Sequence, residues 1–172
     1  MSPHPVYIST AIMNRPSEIQ DLEQFRVMSN GSIVQLVDHV LQVVEQSPDV
    51  QILIGSDSQN KYGSTTYATT VVFRYPNNGA HVLYKKEKTV RVSDLWTRLW
   101  AELERSITVA DHLEYHAGIK IHQIDLDYNS DPAYASNKVW TAAVGYLRAM
   151  GYRSGAKPDL LIASWAANVI CN

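Results

Sequence analysis

The stretch DVQILIGSDSQNK, residues 49–61, decides how the rest of the chain is read. Val50, Ile52, Leu53 and Ile54 form a short apolar run rich in β-branched residues, the composition of a buried strand. The run passes into Gly55, Ser56, Asp57, Ser58 and Gln59, all small or polar. Asp57 is therefore expected at the open end of a core strand. A carboxylate there is costly unless a cation, a donor or water meets it. Two readings follow. One is a strand-exit turn whose side chains bond their own backbone. The other is a metal-binding aspartate, which needs further carboxylates from distant elements.

Upstream, Ser29, Asn30, Gly31 and Ser32 signal a turn and a helix cap. Residues 33–46 then place Ile33, Leu36, Val37, Val40, Leu41 and Val44 on one stripe, which predicts an N-terminal helix. Ser47-Pro48-Asp49 stops it. His39 has no ligand partner one helical turn away and is read as a surface or structural residue. Residues 1–30, with Pro5 and Pro16, read as an irregular arm anchored by Phe25 and Val27. Residues 31–172 read as a single domain.

Downstream, residues 65–75 and 80–90 read as two further strands around the turn Pro76-Asn77-Asn78-Gly79. These three strands are expected to run antiparallel, with residues 49–57 as the first. Lys85, Lys86, Lys88 and Arg91 form the only dense basic run. It is either a solvated strand end or a phosphate contact. Ser93-Asp94 can cap a helix whose inward face carries Leu95, Leu99, Leu103 and Ile107. Glu102 falls beside that stripe, whereas Glu104 points farther away. Residues 118–129, GIKIHQIDLDYN, predict a fourth strand. There Asp125 and Asp127 share a face and repel one another unless water, a base or a metal intervenes. Either could equally be a polar strand exit. His122, on the opposite face, is read as structural. A helix over 139–150, a short fifth strand over 159–163 and a short final helix from Ser164 complete the chain.

Composition narrows the function. The chain has 172 residues, 45% hydrophobic, with a formal charge of −2, so a strongly basic nucleic-acid binder is excluded but a local basic patch is not. The single cysteine, Cys171, excludes a disulfide framework or cysteine-rich zinc site within one chain. No secretory signal or membrane-length apolar stretch is evident, and a cytoplasmic location is the expectation.

The predicted order is a helix, three strands, helix, strand, helix, strand, short helix. It describes a mixed α/β fold with helices on both faces of the sheet. In it Asp57, Glu102 and one of Asp125 and Asp127 can converge from separate segments. This order resembles the ribonuclease H-like fold, and more narrowly the YkuK-type family of ribonuclease H-like proteins. The matches are IGSDSQ at 54–59, RLWAELERS at 98–106 and IHQIDLDYN at 121–129. Ser136-Asn137-Lys138, Lys157-Pro158-Asp159 and ASWAAN at 163–168 extend it. The resemblance implies a mixed five-stranded sheet and a catalytic set of Asp57, Glu102 and Asp127, with Asp125 the alternative. Such folds usually bring one more acid or a histidine from the last helix. Asn168 stands in that place here, able to ligate through its carbonyl oxygen but bringing no charge.

The implied activity is metal-dependent hydrolysis of phosphodiester bonds in RNA, an RNA–DNA hybrid or structured DNA. Two Mg²⁺ or Mn²⁺ ions about 3.5–4 Å apart would activate the water and stabilise the leaving oxygen. Hard ions call for the oxygen ligands these residues carry. Lys85, Lys86 and Arg91 are candidates to hold the substrate backbone, and Ser58, Gln59 and Asn129 to orient water or phosphate. The alternative is a nucleic-acid-binding or scaffold protein that kept the fold and lost the chemistry. A homo-oligomer is compatible with either.

Overall fold

The apolar run around Ile52 becomes a strand longer than its composition suggests. In the computed structural model, which describes residues 21–77, 79–157 and 161–172, it extends from Gln51 to Lys61. The elements are β1 (Gln24–Val27), β2 (Ile33–Gln35), α1 (Leu36–Gln46), β3 (Gln51–Lys61), β4 (Ser64–Tyr75), β5 (Gly79–Val90), α2 (Leu95–Ala117), β6 (Gln123–Asn129), α3 (Asn137–Ala149), β7 (Ser154–Lys157) and α4 (Ile162–Cys171). The sheet has seven strands in the order β2-β1-β5-β4-β3-β6-β7. The meander β3-β4-β5 is antiparallel, as expected. β6 runs parallel to β3, and β7 parallel to β6.

Three expectations need correction. The sheet has seven strands rather than five because β1 and β2 join its edge. Each is too short to display an alternating pattern in the sequence. Pairing Arg26 with Tyr84 and Val27 with Leu83 makes a strand of what reads as an irregular arm. Phe25 and Val27 do anchor it, with both side chains buried. Residues 1–20 of that arm lie outside the described residues. The N-terminal helix starts at Leu36 rather than residue 33, since Ile33 to Gln35 are drawn into pairing with β1. Its N-cap Gln35 gives no side-chain hydrogen bond, and the Glu23 carboxylate accepts from Val37 N instead.

The last strand is also displaced. It lies at Ser154–Lys157, whereas Ile162 and Ala163 open α4. Residues 158–160 lie outside the described residues. The sequence SGAK has little strand character. It becomes a strand by pairing with β6, and a Cβ on Gly155 would meet the Gln123 side chain.

Helices cover both faces of the sheet. On one face Ile52, Ile54, Phe73 and Leu83 pack with residues of α1, α2 and α3. Each such fully buried side chain contributes about 1.5–3 kcal/mol. On the other face Leu53 and Val72 meet Ala163 and Ala166 of α4. That contact is close enough to demand glycine, because a Cβ on Gly55 would lie 2.6 Å from Ser164 N. Helix α2 opens as predicted, with Asp94 accepting from Thr97 N, and ends at Gly118 with φ of 64°.

His39, His81 and His122 make contacts within the fold. His122 Nδ1 accepts from Ile52 N at 3.0 Å. His39 and His81 meet through their Nε2 atoms at 2.7 Å, beside Phe73.

Candidate functional site

Strand β3 has different neighbours along its two edges, and this difference creates the site. On the β4 side pairing continues to Lys61 opposite Ser64, so Asp57, opposite Ala68, lies within a ladder. It is not a strand-exit residue. On the β6 side the parallel ladder ends at Gly55 and Asp125. Two residues farther on each strand come Asp57 and Asp127.

Alternation fixes their faces. Ile124, Leu126 and Tyr128 of β6 enter the core beneath α2 and α3, so Asp125 and Asp127 face the α4 side. On β3, Ser56 and Ser58 bond Ser106 and Glu102 of α2, so Asp57 faces the α4 side too. Asp57 and Asp127 thus each lie two residues past Gly55 and Asp125, the last registered pair of the two strands, and β6 is irregular against β7 between Leu126 and Asn129.

Glu102 comes from α2, on the other face, and is only 2% exposed. Ser58 Oγ donates to its Oε1 at 2.5 Å. Its carboxyl is pushed up to about 8, first by burial. The Ser58 hydrogen bond opposes that shift, the Asp57 charge adds to it, Arg98 opposes it, and Asp127 adds to it again. Glu102 therefore feels both strand aspartates. Tyr128 ties β6 to this part of α2, its hydroxyl donating to Leu99 O.

Asp125 occupies a different setting. It is buried, accepting from Gln123 Nε2 at 2.7 Å and from Ala163 N at 2.8 Å. Burial raises its pKa, while the Gln123 and backbone hydrogen bonds oppose the rise. Since Leu161 provides no side-chain cap, Asp125 is the acid that meets the N-terminus of α4, where the helix dipole favours negative charge. Asn168 sits on α4, exposed, its Oδ1 accepting from Asn172 Nδ2 at 2.9 Å. None of its described contacts is with Asp57, Glu102 or Asp127.

The expected substrate contacts separate. Ser58 is buried against Glu102. Gln59 Nε2 donates to Asn172 Oδ1. Lys86 shares the Asp57–Ala68 rung and hence the face of Asp57, with Nζ donating to Ile170 O. Lys85 points the other way and pairs with Asp21 at 2.5 Å. Arg91 is exposed just after β5. Asn129 shapes the loop after β6, Oδ1 accepting from Asp131 N. A cleft of about 440 Å³ lined by Asp49, Gln51 and Arg74 lies at the start of β3, apart from these carboxylates.

Arg98 was not among the residues expected here. Its Nη1 donates to both Ser58 O and Ser58 Oγ at 3.0 Å. The sequence does carry a signal for it, since Arg98 precedes Glu102 by one helical turn.

Among the described residues, no three His, Cys, Asp or Glu side chains stand close enough together, as placed, to hold one metal ion. The donor set nevertheless suits a hard divalent cation: the charges of Asp57 and Asp127 add to the cost of ionising Glu102, and a cation near them would relieve it. No helix among the described residues is long and apolar enough to cross a membrane.

The ribonuclease H-like family model matches residues 35–172, which include all three of these carboxylates. A comparison with curated proteins gives no match.

Proposed function

Because the chain belongs to the ribonuclease H-like family, we propose that it is a divalent-metal-dependent nuclease acting on RNA, an RNA–DNA hybrid or structured DNA. The observation that carries this reading is that Asp57 and Asp127 both follow the end of the β3–β6 ladder by two residues, with Glu102 within electrostatic reach. Asp57, Glu102 and Asp127 are the residues to hold the cations. Bound Mg²⁺ or Mn²⁺ supplies a water of lowered pKa and charge stabilisation for the leaving oxygen.

The chain's own residues divide the remaining work. Asp57 and Asp127 present oxygens from the α4 face of two strands that the sheet holds rigid. Glu102 adds a third carboxylate from α2. Lys86, on the face of Asp57, is the best placed of the basic residues to meet a substrate phosphate, and exposed Arg91 can extend that contact. The near-neutral net charge suits this arrangement, because cations in the site offset the acidic cluster that a polyanion must approach.

The test is cleavage of a panel of duplex RNA, RNA–DNA hybrid and branched DNA in Mg²⁺ or Mn²⁺. Asp57→Asn is expected to abolish cleavage while the circular dichroism spectrum stays that of the wild type. Cleavage by the variant at the wild-type rate contradicts the proposal. A second reading, a binding protein without hydrolytic activity, draws on Asn168, which lies where family members usually carry an acid or histidine. Nucleic-acid binding with no Mg²⁺- or Mn²⁺-dependent cleavage by the wild type favours it.

A further inference from the structure

Ser58 reads from sequence as a residue that touches water or phosphate. Its surroundings are different. It is 6% exposed, and its rung neighbour Tyr67 is 2% exposed. Arg105 lies over the Tyr67 ring, 3.8 Å from its centroid, and pairs with Glu87. Ser58 is thus enclosed in a polar layer between the sheet and α2 and faces away from the side where Asp57 and Asp127 stand.

The direction of its hydrogen bonds matters. Arg98 has no acceptor to offer, so its Nη1–H must donate to Ser58 Oγ. With that lone pair engaged, the Ser58 hydroxyl proton turns to Glu102 Oε1, 2.5 Å away. The second Arg98 contact, to Ser58 O, fixes the guanidinium against the β3 backbone. One oxygen of Glu102, Oε1, is held by this relay. Such outer hydrogen bonds set the orientation of a ligating carboxylate.

We propose that Ser58 and Arg98 are positioning residues that orient Glu102 for divalent-cation binding, and that Ser58 makes no contact with substrate. This inference rests on reading Asp57, Glu102 and Asp127 as the cation ligands. It assigns Arg98 a role in the site and changes the role expected of Ser58. It also distinguishes the two halves of the polar layer. The Ser56–Thr69–Ser106 cluster joins α2 to the sheet, with its bonds made among hydroxyls and backbone. Only the Ser58–Arg98 half ends on a carboxylate that feels Asp57 and Asp127.

The experiment is calorimetric titration of the full chain with Mn²⁺, for the wild type and the variants Asp57→Asn, Ser58→Ala, Ser58→Thr and Arg98→Gln. Melting curves accompany each titration to establish that the variant is folded. Ser58→Ala is expected to weaken Mn²⁺ binding by about 10–100-fold, the range for loss of an outer-shell partner. Ser58→Thr, which keeps the hydroxyl, is expected to restore most of the affinity, an outcome that mere loss of packing does not produce. Arg98→Gln is expected to weaken binding to a smaller degree. In cleavage assays Ser58→Ala should lower kcat at saturating substrate and leave KM for nucleic acid near the wild-type value. Wild-type Mn²⁺ affinity in both folded Ser58→Ala and Arg98→Gln overturns the positioning role but not the nuclease reading. Absence of a Mn²⁺ site in the wild type, or full binding by Asp57→Asn, overturns the ligand assignment and this inference with it.

Discussion

Asp125 and Asp127 lie two residues apart on the same strand and face the same side of the sheet, yet the fold uses them differently. Asp125 is the last β6 residue in register with β3. There it meets the first turn of α4, at Ala163. Asp127 lies two residues beyond the ladder, where Glu102 feels its charge together with that of Asp57. The difference teaches that the end of a ladder can separate an acid bonded into the fold from one proposed as a cation ligand. Residue type and strand face do not.

Replacing each acid tests this contrast, and the largest effect is expected in catalysis. Asp127→Asn should abolish cleavage in the same assay as Asp57→Asn and leave the melting temperature close to that of the wild type. Loss of stability without loss of cleavage would reverse the assignment of the two acids.

Next comes the pH dependence that Glu102 confers. In the metal-free protein its pKa is raised from 4.5 to about 8, so between these values the folded state holds more protons than the unfolded one. Its contribution to stability is full below the unfolded pKa and is lost as pH rises through that window, by up to about 1.4 kcal/mol per pH unit. Glu102→Gln should flatten this slope in denaturant titrations with EDTA present, and should also abolish cleavage. An unchanged slope would show that Glu102 is not held as described.

Asp125→Ala should lower unfolding free energy by about 2–3 kcal/mol, since it leaves the buried donors of Ala163 and Gln123 without their acceptor. The loss should appear in urea unfolding, and cleavage should persist wherever the variant is folded. A smaller effect is expected far from the site. Burial lowers the pKa of His39 and of His81, the latter lowered further by His39. Their contribution therefore diminishes as pH falls below the unfolded value of 6.5. His81→Phe should reduce this acid-side slope in thermal melts, with less effect on stability than Asp125→Ala.

The meander was legible because Thr, Val and aromatic residues fill β4 and because turn residues bound it. The α2 cap was legible in Asp94, as were the helical place of Glu102 and the strand place of Asp125 and Asp127. β1 and β2 were not, since four and three residues carry too little pattern and become strands only by pairing at an edge. Nor was β7, whose four residues carry little strand pattern and become a strand by pairing with β6. The capping role of Asp125 depends on where α4 crosses the sheet, a tertiary fact that spacing along β6 does not encode. For the same reason Asp57 reads as a strand exit although β3 continues past it to Lys61.

The most direct test of the central claim is a crystal structure after soaking in Mn²⁺, with the ion located by anomalous scattering. The expected result is Mn²⁺ ligated by Asp57 and Asp127, with Glu102 joining them and Asp125 still bonded to the N-terminus of α4. Full soaking with no anomalous density at Asp57 and Asp127, or Mn²⁺ bound by Asp125 in their place, would contradict it.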